Sequence, residues 1–83
     1  MYKSKVKNLR EAVGKNLKAA RIAMGMTQQQ VADALGKYQT DYFKYESGQI
    51  ELDYEKIVFL CKLFDITPDD LFDGLFNDDD NIN

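Results

Sequence analysis

Between Thr27 and Gly48 the chain reads TQQQVADALGKYQTDYFKYESG, two short helical stretches parted by a glycine. The second stretch carries an uncommon set of side chains. On a helix wheel that starts at Gln39, the residues Gln39, Thr40, Phe43, Lys44 and Ser47 share one arc of about 140°. Tyr42 and Tyr45 fall on the other side, at about 300° and about 240°. The helix therefore divides into a core face with two tyrosines and an outward face of amide, hydroxyl, phenyl and ammonium groups. Amides and lysine are donors suited to base edges, and an apolar group suits the thymine methyl. Two other uses are open at this level. One is an ordinary solvated face, which does not usually centre on a phenylalanine. The other is a surface on which Phe43 packs against a protein partner.

Little else in the chain could do chemistry. There is no histidine, and Cys61 is single, so an internal disulfide and a Cys/His zinc site are both excluded. No glycine-rich phosphate loop and no nucleophile–base pair is present, so neither an enzyme nor a cofactor is expected. The run Asp78-Asp79-Asp80 reads as a solvated tail, with metal binding a minor alternative. The N-terminal segment has a charge every few residues and no apolar stretch of signal-peptide length. No run approaches a membrane span, and the chain reads as cytoplasmic.

Net charge of −3 argues against nucleic acid until its distribution is considered. Met1 to Tyr45 holds nine Lys/Arg against three acids, a net +6, and Glu46 to Asn83 holds two against eleven, a net −9. A basic half joined to an acidic half confines an electrostatic footprint to one side of the molecule.

The elements that must position the outward face follow from caps and periodicity. Eighty-three residues fit one domain with a small core. Asn8 and Glu11 predict a capping box at the start of helix one, whose inward face is Val13, Leu17, Ala20 and Met24, with Gly25 as its left-handed end. Thr27 and Gln30 predict a second capping box; Val31, Ala32 and Leu35 face inward, and Gly36 stops that helix. Helix three runs from about Gln39 to Ser47, with Tyr38 as a poor cap. Asp53 caps a fourth helix through Phe64, with Ile57, Leu60, Cys61 and Phe64 inward. Thr67-Pro68 starts a fifth, Leu71 and Phe72 point to the core, and Gly74 ends it. No alternating strand pattern appears, so the fold class is all-α.

The series Thr27-Gln28, Val31-Ala32, Leu35-Gly36, Tyr42, Tyr45-Glu46 and Gly48 resembles the helix-turn-helix core of the phage-repressor and Cro-like (XRE-type) family. The likeness extends upstream to Leu17 and Arg21, and downstream to Ile57, Leu60, Phe64, Ile66 and Leu71. It implies a compact five-helix, lambda-repressor-like DNA-binding domain over residues 13–73. A basic arm and the start of helix one (1–12) would precede it, and an acidic tail (74–83) would follow. By that resemblance helix three enters the major groove. Gln39, Thr40 and Lys44 fall on positions that meet bases, and Thr27 and Gln28 on positions that meet phosphates. Lys37, Tyr38, Phe43 and Ser47 complete the candidate DNA-contacting set, although Lys37, Tyr38 and Phe43 depart from the residues usual in the family. Arg21 and Glu46 match a partly buried ion pair between helices one and three.

Together these features lead to a small transcriptional regulator, a repressor that binds a palindromic operator as a homodimer. Pairing two half-sites supplies the affinity that one small module lacks. Phe72, Leu75 and Phe76 are the candidate dimer surface, with Ile82 beyond them, because apolar residues persist past the last core position. The competing expectation is an antitoxin-like or adaptor module that turns the same helices toward a protein.

Overall fold

Caps and glycines set most of the helix ends. The computed structural model describes residues 6–76, which form α1 (Val6–Ala23), α2 (Gln28–Leu35), α3 (Gln39–Glu46), α4 (Tyr54–Phe64) and α5 (Pro68–Leu71). Among the described residues there is no strand. At α2 the Gln30 N–H donates to Thr27 Oγ1 at 3.1 Å, and the Thr27 N–H donates to Gln30 Oε1 at 2.9 Å. That reciprocal pair satisfies two donors that a helix start leaves open. Thr67 and Asp70 build the same box at α5, with Pro68 in the first turn. Asp53 accepts from the Lys56 N–H at 2.8 Å and starts α4. Tyr38 precedes α3 without any side-chain cap, as its residue type implies.

Two details of α1 differ from the sequence expectation. The helix begins at Val6, upstream of Asn8, so Asn8 lies inside it and no capping box forms with Glu11. Neither proline nor glycine stands upstream to stop the helix, and a potential cap residue is tolerated in its exposed interior. At the other end α1 stops at Ala23, and Gly25 takes the left-handed conformation at φ 70°. The chain has then left the helical wheel, so Met24 is exposed, and Met26 packs against the core.

Leu17 of α1, Val31 and Ala32 of α2, Tyr42 of α3, Leu60 and Phe64 of α4, and Leu71 of α5 make the buried centre. Helix α3 packs on both α1 and α2, while α5 closes against α1 and α4. The single turn of α5 is too short to hold itself. Asn16 on α1 secures it, donating from Nδ2 to the carbonyls of Leu71 at 2.9 Å and Asp73 at 3.0 Å. The Leu71 carbonyl is one that a helix end leaves without a partner, and Asp73 lies in the turn just beyond it.

Candidate nucleic-acid interface

The rotation of α3 about its own axis decides what it offers to a ligand, and two tyrosines fix that rotation. Tyr42 is wholly buried and Tyr45 nearly so, their ring centroids 6.3 Å apart at a tilt of 58°. With that side held in the core, Thr40, Phe43 and Lys44 are exposed, and Gln39 and Ser47 are half-buried. Phe43 keeps 44% of its surface open, which agrees with the wheel drawn from sequence. Lys44 lies 3.8 Å from Asp41, an exposed pair that holds the ammonium only weakly. Ser47 is engaged locally: its hydroxyl donates to the Lys44 carbonyl at 3.3 Å and accepts from Gln49 Nε2 at 2.9 Å. In the turn before α3, Tyr38 is 79% exposed and Lys37 is half-buried. Thr27 is exposed at the start of α2.

Beneath this face lies a charge pair. Arg21 Nε donates to Glu46 Oε2 at 2.6 Å, and Arg21 Nη2 to Glu46 Oε1 at 3.1 Å, with the carboxylate only 2% exposed. Arg21 Nη1 also donates to the Met26 carbonyl at 2.9 Å, tying α1 to the approach to α2. Burial alone would push the Glu46 carboxyl up. The hydrogen bonds from Arg21 and Gln28, with the Arg21 charge, outweigh it and hold Glu46 below the ordinary carboxylate range. The same hydrogen bond raises Arg21. Burial drives the Tyr42 phenol far above its ordinary value, so it stays neutral.

Three features of this support were not read from the sequence. Gly14 lets the end of α3 approach α1 closely: a Cβ there would stand 2.3 Å from the Glu46 carbonyl oxygen. A glycine in mid-helix costs about 1 kcal/mol against alanine, which is a signal of such an approach. Arg10 Nε donates to the Gly48 carbonyl at 3.1 Å, a second tie between α1 and the end of α3. Gln28 is half-buried, and its side chain turns inward: Nε2 donates to Glu46 Oε1 at 3.0 Å, and Oε1 accepts from Gln39 Nε2 at 2.5 Å. The family resemblance places this side chain at a phosphate, and no local signal in the sequence points to a partner within the protein.

A family model described as a helix-turn-helix domain matches residues 14–75, most of the chain. The chain belongs to the XRE-type helix-turn-helix family. It is similar to the uncharacterized HTH-type transcriptional regulator YqaE of Bacillus subtilis (strain 168), 36% identical over 63 residues, which are 76% of this chain and 54% of that protein. It is equally similar, at 36% over 61 residues, to the SPbeta prophage-derived uncharacterized HTH-type transcriptional regulator YonR of the same strain, covering 74% of this chain and 56% of that one. The chain thus spans about half the length of these curated relatives. No solved structure gives a significant match.

Within this helix-turn-helix frame, α2 and α3 are the paired helices and Gly36, at φ 71°, makes the turn between them. Phe72 packs against the core, Leu75 lines an apolar groove, and Phe76 stands 88% exposed. The groove encloses about 300 Å³ and is walled by Leu9, Val13, Ile50, Tyr54, Phe72 and Leu75, among others. Cys61 is buried, which raises its thiol. Among the described residues no His/Cys/Asp/Glu group is arranged to hold a metal, and no helix is long and apolar enough to cross a membrane. Asp78, Asp79, Asp80 and Ile82 lie outside the described residues.

Proposed function

We propose that the protein is a sequence-specific DNA-binding transcriptional regulator whose α3 enters the major groove. The observation that carries this reading is the division of α3: Tyr42, Tyr45 and Glu46 are buried, while Thr40, Phe43 and Lys44 are open to a ligand. Gln39, Thr40 and Lys44 read base edges, and Phe43 meets a thymine methyl between them. Ser47 borders the same face. Lys37 and Tyr38, in the turn, lie against the backbone flanking the groove.

Phosphate is held at the start of α2. The N–H groups of Gln28 and Gln29 have no helical partner upstream, and the positive end of the helix dipole points with them. Thr27 uses its oxygen as an acceptor for the cap, which leaves its O–H free to donate to a phosphate. The fold is well matched to this task, since the Arg21–Glu46 pair and the Gly14 contact hold α3 at one angle to α1.

Two copies act on a palindromic operator, and the module represses by occupying it. The exposed Phe76, next in the chain to the groove-lining Leu75, supports pairing through Phe72, Leu75 and Phe76, since one copy leaves the Phe76 ring in water. Selection of bound sequences from random duplex DNA tests the whole reading. The expected product is an inverted repeat whose affinity falls steeply with salt, by counterion release. Failure to enrich any sequence, with a protein complex lost on changing Phe43, would replace it by the adaptor reading.

A further inference from the structure

The apolar groove reaches the inner side of α3, where Tyr45 forms part of its wall. Leu9, Arg10 and Val13 supply the wall from α1. They stand upstream of residue 14, where the helix-turn-helix match begins, so the groove is built in part by turns of α1 outside that frame. Leu9 and Ile50 are exposed on it, and leaving such apolar surface in water is unfavourable. Only two of the lining residues carry charge, Arg10 and Glu51. Arg10 is half-buried, and its Nε donates to the Gly48 carbonyl at 3.1 Å. Among the described residues no carboxylate stands within ion-pair distance of it. With Nε held on Gly48, the Nη1–Nη2 fork is left to take a carboxylate. Glu51 is exposed, so water screens most of its charge, and it disfavours a second anionic group on the ligand.

We propose that this groove is an effector site for a monocarboxylate with an aliphatic or aromatic body, the carboxylate held by Arg10 and the body by the apolar walls. At about 30 Å³ for each group the size of a water molecule, the groove of about 300 Å³ holds about ten non-hydrogen atoms, as many as octanoate has. An apolar cleft with one placed polar anchor is the usual make-up of a small-molecule site. The guanidinium that takes the carboxylate also holds Gly48, just beyond the end of α3. A bound carboxylate fixes Arg10 in the rotamer that reaches Gly48, while the ligand body packs on Tyr45. Both contacts hold α3 at its angle to α1, so occupancy should tighten DNA binding. That coupling rests on the reading of α3 as the helix that enters DNA; the binding site itself does not. Phe76 is not among the walls, so an occupied groove leaves it open to pairing.

The test titrates the full chain with octanoate, followed by amide chemical shifts, against acetate, which lacks the body, and 1-octanol, which lacks the charge. Octanoate should saturate at one per chain and shift the amides of Leu9, Ile50 and Gly48. It should bind roughly tenfold or more tightly than either control, the factor that a hydrogen bond to a charged group supplies. Arg10→Met should bring octanoate down to the level of octanol. Because that variant also loses the Gly48 tie, Leu9→Glu is the second: the position is exposed, and the added carboxylate should weaken octanoate far more than octanol. Saturating octanoate should tighten operator binding roughly fivefold or more, and operator should tighten octanoate binding by the same factor.

Octanol that binds as tightly as octanoate, or octanoate that fails to saturate below its micellar range, would overturn the proposal. So would stronger octanoate binding in Phe76→Asp, which would make a second copy the occupant of the groove. Operator affinity that is unchanged or weakened at saturating octanoate would overturn the effector role. A chain that takes octanoate but binds no DNA would remove the DNA-binding reading, and the effector role with it, while leaving the carboxylate site in place.

Discussion

Replacing Gly14 by alanine sets a local preference against a tertiary contact, and the structure says which wins. In the middle of α1 the change gains about 1 kcal/mol of helix propensity. The new Cβ, however, would lie 2.3 Å from the Glu46 carbonyl oxygen and 2.7 Å from that of Tyr45. An unstrained carbon–oxygen approach is roughly 3.3 Å or more, so the end of α3 must retreat by about 1 Å. Both obstructing atoms are backbone, which cannot swing aside as a flexible side chain would. The steric cost therefore belongs at the upper end of the overpacking range, about 3 kcal/mol, and a net loss of about 2 kcal/mol remains. For a domain of this size that lowers the melting temperature by roughly 8–16 °C. The retreat also pulls Glu46 from Arg21 and tilts the face carrying Gln39 and Lys44. DNA affinity should then fall even at temperatures where the variant is fully folded. Thermal melting by circular dichroism, with Ala19→Gly on the exposed side of α1 as the propensity control, measures the first effect. A melting temperature equal to or above that of the wild type would refute the close-approach argument.

Other outcomes follow from the same geometry. Arg21→Met strands the Glu46 carboxylate and should cost about 3 kcal/mol in urea denaturation. Because Glu46 is held below the ordinary carboxylate range, its stabilising contribution is complete above the unfolded value of about 4.3 and is lost as pH falls through the lower folded one. The stability difference between wild type and Glu46→Gln should accordingly be constant above about pH 5 and shrink in more acid solution; a difference that grows there would contradict the pairing. Phe43→Ala should cost no more than about 1 kcal/mol of stability, since the ring is nearly half open. Uracil in place of the contacted thymine should weaken the wild type and barely affect that variant; equal sensitivity in both would remove the methyl contact. Phe76→Asp should shift sedimentation at micromolar concentration from dimer toward monomer, and a wild type that is monomeric both free and on DNA would dismiss the interface.

Local signals in the sequence were sufficient for the order of the helices and for most of their ends. Thr27 with Gln30, Asp53, and Thr67 with Pro68 act within three or four residues of themselves, so their caps can be read from the chain alone. The wheel of α3 was legible for a similar reason. Two tyrosines on one side and polar groups on the other leave a single rotation that buries the apolar side, and Phe43 stays on the open one. The Arg21–Glu46 pair came from family resemblance, since residues 25 positions apart show no local sign that they meet. What only the tertiary structure decided is how the helices touch. Asn8 reads as a cap, yet α1 begins upstream of it. Met24 fits the apolar period, yet the chain turns at Gly25 before the period can place it. Gly14 looks like a weak point in a helix and is the space that α3 requires. Gln28 falls, by resemblance, on a phosphate-meeting position, and its side-chain amide is spent on Glu46 and Gln39. Propensity and capping are properties of neighbouring residues, whereas a crossing distance and the partner of an amide exist only once α1, α2 and α3 have been packed against one another.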